Sequence, residues 1–410
     1  MAILSLFQGY GIEIEYMVVD SSSHEVRPIV DTLLDALAAS NDSATLSPQQ
    51  PHAAVEWSNE LVAHVAEAKC AEPEPSIAGF LPPLQQSLAH VNALLARHHA
   101  CLMPSAAHPW MNPKSALLWQ YEYHDIYAEY DRIFGCNTHG WTNLQSIHLN
   151  LPFANDEEFG RLHAAIRLVL PLIPALAAAS PYLDGQYTGL LDARMQYYRY
   201  NSMAIPTMTG ELIPEAIFSP QEYHHSVLEP IYAQSAPLDP TGILHDEWAN
   251  ARGAIARFDR NAIEIRVTDS QENPIADLAI AHAVAETVRM LVQEDFAPYN
   301  QQKQWSVARL YRLFFDAVRE GEQAKIMDPY YAALFGVKQG AATFGNIWRA
   351  LLARPALRLP QFAPWYALYE QQGTLARRML RHAGTQPTRP ALHSLTCKLC
   401  TCLAQGQFFA

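Results

Sequence analysis

The sequence predicts an α+β fold in which one sheet carries charged side chains on one face and packs helices on the other. Two observations predict it. Three stretches, residues 11–19, 142–151 and 262–269, alternate aliphatic with polar side chains at period two. Between and beyond them lie runs with apolar residues at helical spacing. At 410 residues and 50% hydrophobic, the chain can bury a sizeable core as one large domain or two.

In the first strand Ile12, Ile14, Tyr16 and Val18 alternate with Gly11, Glu13, Glu15, Met17 and Val19, so Glu13 and Glu15 point the same way. Two ionised carboxylates so placed repel unless a cation sits between them or one takes a proton. An outer strand with two solvated glutamates is the plainer alternative. A helix is expected over 30–39, where Leu33, Leu34 and Leu37 fall at helical spacing, and a loop over 41–51. Residues 54–67 read as a pair of strands or one bent strand. Their Glu60 and Glu67 are seven apart, so a straight strand sets them on opposite faces and only a bulge or bend unites them.

Helices are expected over 84–99 and 117–134, the second ending at Gly135. The strand 142–151 sets Ser146, His148 and Asn150 against Ile147, Leu149 and Leu151. Asn155 or Asp156 caps the next helix, which Pro171 and Pro174 kink. Residues 180–240 read mostly as loop, and a loop of that length is usually functional. The strand 262–269 sets Glu264, Arg266 and Thr268 against Ile263, Ile265 and Val267, and Asn273 opens a helix to about 294. Beyond 300 the pattern is helical and amphipathic. The expected organisation is a site-bearing unit over 1–300 and a helical extension over 301–410, with the tail from about 385 disordered.

Twenty-eight basic against 41 acidic residues give a net charge of −13, and no Lys/Arg cluster stands out. That excludes nucleic acid as the expected partner and suits a protein that gathers cations. The most apolar run, Leu168 to Ala179, is short and carries two prolines, so no membrane span is expected. No basic stretch followed by an apolar core opens the chain, and six cysteines form no disulfide framework, so a cytoplasmic protein is expected.

Glu13/Glu15, His148/Asn150 and Glu264/Arg266 thus line one polar floor, with Glu60 and Glu67 as additions. Oxygen ligands with a single imidazole suit Mg²⁺ or Mn²⁺ better than zinc. Several such ions on one floor imply a nucleoside triphosphate, and Arg266 is placed to neutralise a phosphoryl group in transfer. Neither a Walker A motif nor GxGxxG is present. Taken singly, His148 also fits a structural histidine, and Glu264–Arg266 an ion pair. Arg194 and Arg199 are candidate site residues that would otherwise pair with Asp192 or Asp184. Arg132 is a candidate carboxylate clamp. Cys397-x-x-Cys400-x-Cys402 offers three thiols that His393 would complete into a zinc site; an oxidation-prone tail is the alternative.

Gly11-x-Glu13-x-Glu15, Glu60 and Glu67, His148-x-Asn150, the loop from Ser180-Pro through Gly185 and Thr188-Gly to Arg194, and Glu264-x-Arg266 occur in this order. Over residues 8–293 this resembles the second family of glutamate–cysteine ligases, carboxylate–amine ligases related in fold to glutamine synthetase. The resemblance implies a curved antiparallel half-barrel with helices outside. It implies that ATP activates the side-chain carboxylate of glutamate as an acyl phosphate, which an amine, with cysteine the first choice, then attacks. It makes Glu13, Glu15, Glu60, Glu67, His148 and Glu264 ligands of metals that bridge the ATP phosphates. It sets Arg266 on the phosphates and Arg194 near the glutamate or the transferring phosphate. In this reading Asn150 contacts nucleotide or substrate, and Arg132 and Arg199 contact substrate. The expected partners are small molecules, an amino acid and an amine, with a homo-oligomer left open. The histidine is followed by Leu149-Asn150 where the family often has valine and glycine. A ligase for another acid and amine, a non-catalytic nucleotide- or metabolite-binding protein on the same fold, and a kinase-like enzyme are the alternatives.

Overall fold

A computed structural model describes residues 3–40, 55–337 and 343–410. The loop expected over 41–51 lies outside the described residues. The strands, in chain order, are β1 (Gly11–Asp20), β2 (Val55–Asn59), β3 (Val65–Cys70), β4 (Ala100–Met103), β5 (Ser146–Pro152), β6 (Tyr182–Leu183), β7 (Gln186–Tyr187), β8 (Ala254–Arg257) and β9 (Ala262–Asp269). Seven of them form one open, curved antiparallel sheet in the order β2-β3-β1-β5-β9-β8; β4 pairs with the last four residues of β1, and β6–β7 is a separate small hairpin. This is the curved sheet that the resemblance implies.

The period-two pattern decides which face is covered. Ile12, Ile14, Tyr16 and Val18 of β1, Ile147, Leu149 and Leu151 of β5, and Ile263, Ile265 and Val267 of β9 are all buried in the main core. The helices Leu81–Ala96, Asp156–Val169 and Pro274–Val292 contribute to that core from outside. Asn155 and Asn273 cap the last two with side-chain oxygens that accept from backbone N–H groups. Pro171 and Pro174 break the first of these into a tight turn, Leu170–Leu172, and a short helix, Pro174–Ala177. The carbonyls around the break are taken up by the C-terminal third. Tyr331 Oη donates to Leu168 O at 2.7 Å, Trp348 Nε1 to Leu172 O at 2.7 Å, and Tyr369 Oη to Ala175 O at 2.9 Å. Residues before and after 300 therefore share one continuous core.

Several elements differ from expectation. The helix expected over 117–134 is confined to His124–Phe134, because Tyr123 adopts a left-handed conformation with φ 66°. The helix expected over 84–99 runs Leu81–Ala96, with Pro82 and Pro83 in its first turn, where missing N–H groups cost nothing. Residues 180–240 are not mostly loop; they hold the β6–β7 hairpin, the helix Ala193–Tyr198 and a helical run from Pro220 to Ser235. The tail beyond 385 is ordered: Arg389–Gln405 is a helix capped by Thr388, with Leu392, Leu395, Leu399 and Leu403 buried along one side. Cys400 and Cys402 are buried on that helix while Cys397 is exposed, so the three thiols do not converge on a zinc ion. His393 instead contacts His24 and the Ser22 carbonyl. Among the described residues, no helix is long and apolar enough to cross a membrane.

Candidate active site

The polar face of the sheet, opposite the aliphatic one, gathers the acids, and Glu15, Glu67 and Glu264 are buried on it. Strand register does most of the placing: Glu13 lies opposite His148 and Lys69, Glu15 opposite Glu67, Gly11 opposite Asn150, and Asn150 opposite Glu264. Between Ile147 and Leu149 the β5–β9 register shifts, so Arg266 and Val267 of β9 together face the single residue His148. Such a bulge sharpens the local twist and re-aims side chains. Glu60 and Glu67 do meet, through a simpler device than a bulge. The chain reverses over residues 60–64 and β2 and β3 run antiparallel, so Glu60, just past the end of β2, comes near enough to Glu67 on β3 for its charge to act on it.

His148 is the hub. Its Nδ1 is 3.3 Å from Glu13 and 3.7 Å from Glu264, and its Nε2 is 3.0 Å from Ser146 Oγ and 3.8 Å from Glu15. Ser146 in turn donates its backbone N–H to Glu15 at 2.7 Å. Asn150 Nδ2 donates to Glu13 at 3.2 Å, while its buried Oδ1 has no partner among the described residues. Arg266 Nε is 2.5 Å from Glu264, and Arg257 and Arg260 reach Glu264 and Glu13, each at 3.6 Å.

The ionisation pattern shows a site short of positive charge. Burial, and then the charges of Glu15 and Glu13, pushes Glu60 up to about 8, with His148 opposing. Burial beside Glu13 and Glu60 holds Glu67 well above the usual carboxylate range. Burial acts against the Glu13 anion as well, but the His148 hydrogen bond and charge, with Arg260 and Arg266, outweigh it and hold Glu13 at about 2. For His148 burial favours the neutral ring, yet Glu13, Glu264 and Glu15 together raise its pKa. Raised carboxyls and a raised imidazole thus mark where cations are wanted.

The donor set fits hard divalent cations. Glu13, His148 and Glu264 form one group with ligand atoms within 4.8 Å of one another, and Glu15, Glu67 and His148 form another. Carboxylate oxygens with one shared imidazole, and an orphaned amide oxygen beside them, suit Mg²⁺ or Mn²⁺. Glu60 joins them electrostatically.

The remaining arginines lie elsewhere. Arg194 is buried beneath β9, its Nε 2.5 Å from Asp269 and its guanidinium 3.2 Å from the Arg266 carbonyl, so it braces the strand. Arg132 is exposed, paired with Glu129 and bonded to the Leu238 carbonyl, and its carboxylate-clamp position is not met. Arg199 lies between the rings of Tyr200 and Phe315 and donates to Tyr311 Oη at 2.7 Å; it pairs with neither Asp192 nor Asp184. Sequence reasoning missed Arg257 and Arg260, which border the floor from β8 and its turn. The signal was available: a short apolar run ending in Asp259-Arg260-Asn261 directly before β9 is a hairpin pattern.

Solved structures share this architecture. A glutamate–cysteine ligase from Francisella tularensis, in complex with AMP, superposes with a TM-score of 0.59 at 11% identity, covering 98% of this chain and 90% of that one. A bifunctional glutathione synthetase from Pasteurella multocida gives a TM-score of 0.59 at 13% identity over 98% of this chain and 53% of its own, so the chain spans about half the length of that enzyme. At such identities the likeness concerns fold. In sequence, an uncharacterized protein of Archaeoglobus fulgidus is 34% identical over 287 residues, 69% of this chain and 75% of its own. Residues 10–340 match the model of glutamate-cysteine ligase family 2, and with most of the chain inside that match, the protein belongs to this family.

Proposed function

We propose that the chain is an ATP-dependent carboxylate–amine ligase that joins the γ-carboxylate of glutamate to an amine, with cysteine the first acceptor to test. The observation that carries this reading is the pair of three-ligand groups sharing His148, bordered by Arg266, Arg257 and Arg260. Glu13, Glu15, Glu60, Glu67, His148 and Glu264 would hold Mg²⁺ or Mn²⁺. When bound, the ions would neutralise the ATP phosphates and the phosphoryl group in transfer. Arg266, half-buried and held by Glu264, is the chain's own cation for that charge. Asn150 fixes Glu13, Ser146 fixes Glu15, and Arg194 positions β9 through Asp269 and the Arg266 carbonyl. A carboxylate is a poor acyl donor, and phosphorylation gives it a leaving group that the amine displaces. Residues 1–300 carry this site, and 301–410 act as the helical extension that braces it.

The test is ADP release from ATP and Mg²⁺ with glutamate, with and without a panel of amino acids and polyamines. Release that needs glutamate and one amine is the expected result. Release with glutamate alone, trapped as a hydroxamate by hydroxylamine, would leave the acyl phosphate standing and the amine open. ATP binding without release under any condition would favour the non-catalytic reading.

A further inference from the structure

Two of the six cysteines are partners: the side chains of Cys101 and Cys400 are hydrogen-bonded to each other. Cys101 lies on β4, opposite Val19 of β1. Cys400 lies on the helix Arg389–Gln405, which packs on β4 and approaches it to within 8 Å, Cα to Cα. Both thiols belong to one apolar cluster with Met17, Val19, Met103 and Met111. A disulfide joins Cα atoms about 4.4–6.8 Å apart, so a strand and a helix packed this closely, with thiols already in contact, can be bridged without refolding. The other cysteines are placed differently. Burial pushes Cys70, Cys136 and Cys402 up to about 11, 12 and 11, and Cys397 is exposed on the outer side of its helix.

The two thiols differ in the way an oxidation needs. Cys101 is half-buried and open to a small oxidant, whereas Cys400 is buried. The Cys400 S–H donates to Cys101, which favours the Cys101 thiolate and lowers its pKa although burial opposes; the same bond, with burial, pushes Cys400 well up. The thiolate is the nucleophile, so Cys101 reacts first and Cys400 stands ready to resolve the product. The helix that carries Cys400 is otherwise tied down by polar contacts near its ends. Arg389 pairs with Glu25 at an exposed position, His393 Nε2 lies 3.0 Å from the Ser22 carbonyl, and the Gln407 carbonyl accepts from Asn273 Nδ2 at 2.6 Å. Exposed ties of the first kind are weak. Cys400 meets the sheet between them.

We propose that Cys101 and Cys400 form a reversible disulfide that clamps the C-terminal helix to the sheet. With a peroxide as oxidant, the Cys101 thiolate attacks one peroxide oxygen. The O–O bond breaks, and the departing hydroxide takes up a proton to become water. The Cys400 sulfur, giving up its proton, then attacks the sulfenic sulfur of Cys101; the S–S bond forms, the S–O bond breaks and a second water leaves. Two thiols have then lost two electrons and two protons, and one peroxide has become two waters. A dithiol reductant reverses the step by thiol–disulfide exchange. The bond closes a loop of roughly 300 residues, which restricts the unfolded chain far more than the folded one. It ties the tail to β4 and, through β4, to β1, the strand of Glu13 and Glu15. It does not depend on the reaction assigned to the acids.

The experiment treats the intact, fully reduced protein with a small excess of hydrogen peroxide and maps its peptides by mass spectrometry without reduction. We expect one crosslinked species that joins the peptides of Cys101 and Cys400, and a melting temperature raised by about 5 °C that dithiothreitol returns to its starting value. Cys101→Ser, at the half-buried position, and Cys400→Ala each abolish the crosslink and the thermal shift, whereas Cys397→Ser keeps both. Cys101→Ser carries the test by itself if the substitution at the buried position unfolds the chain. A crosslink to Cys397 in place of Cys101, or sulfinic acid at Cys101 with no crosslink, overturns the proposal. So does a disulfide between Cys101 and Cys400 that leaves the melting temperature unchanged, because the helix would then not be clamped.

Discussion

Gly11 and Asn150 are partners across β1 and β5, and no side chain fits between them: a Cβ on Gly11 would lie 2.8 Å from the Asn150 Cβ. The glycine is there for close approach. Asn150 must stay close because its Nδ2 holds Glu13. Gly11→Ala therefore either parts the strands or turns Asn150 away from the acid. Overpacking of this kind costs about 1–3 kcal/mol. We expect a lowered melting temperature together with reduced ADP release. A variant that melts and turns over like wild type would show that the strands part freely.

Cation binding should release protons. Glu60, pushed up to about 8 by burial and Glu15, and Glu67, also raised, hold protons at neutral pH without metal and must lose them to become ligands. Protons and metal therefore compete, and the apparent affinity for Mn²⁺ falls as pH is lowered from 8 to 6. Titration calorimetry in buffers of different ionisation enthalpy measures the proton count directly. Zero release would mean that the cation binds away from these acids.

Much of the sheet could be read from the sequence because its strands alternate strictly. β5 and β9 are clear in this way, and their aliphatic halves lie in the core as expected. The approach of Glu60 to Glu67 stays open in the sequence, because residues 54–67 read as a pair of strands or one bent strand and no residue type fixes where the chain turns. Arg132 and Arg199 were misplaced for a related reason: sequence shows that an arginine is present, not whether Glu129 or a pair of aromatic rings has already taken it. The C-terminal helix was legible after all, in Pro390 and the spacing of Leu392, Leu395, Leu399 and Leu403.

Arg194 and Arg132 should separate cleanly on substitution. Arg194 is buried with Asp269, which also accepts from Ala179 N and Ser180 Oγ, so removing the arginine strands a buried carboxylate. Breaking one side of such a pair costs about 3–5 kcal/mol. Arg132 is exposed on a helix with a weak i,i+3 partner. We expect Arg194→Met to lose stability on that scale in denaturant unfolding and to lose activity with it. Arg132→Met should stay within about 0.5 kcal/mol of wild type and keep its activity. Equal effects from the two would reverse the assignment of Arg194 as the brace of β9.

A buried histidine should make the protein acid-sensitive well above the carboxylate range. His108 is fully buried; its Nε2 donates to the His24 carbonyl at 2.8 Å, and its Nδ1 accepts from the Trp110 N–H at 3.2 Å. The neutral ring is thus satisfied at both nitrogens, and a second proton would point at an N–H donor. Burial, helped by the nearby His64, Arg389 and His24, pushes it down to about 3, although the His24 carbonyl pulls the other way. The unfolded chain titrates near 6.5, so between these values it binds the extra proton and the fold does not. The contribution of His108 is complete above about pH 6.5 and declines as pH falls towards 3, by about 1.4 kcal/mol at pH 5.5. His108→Gln keeps a donor for the His24 carbonyl and does not titrate. The unfolding free energy of wild type relative to His108→Gln should therefore shrink between pH 8 and 5.5, and a constant difference would show that the ring is already charged in the fold.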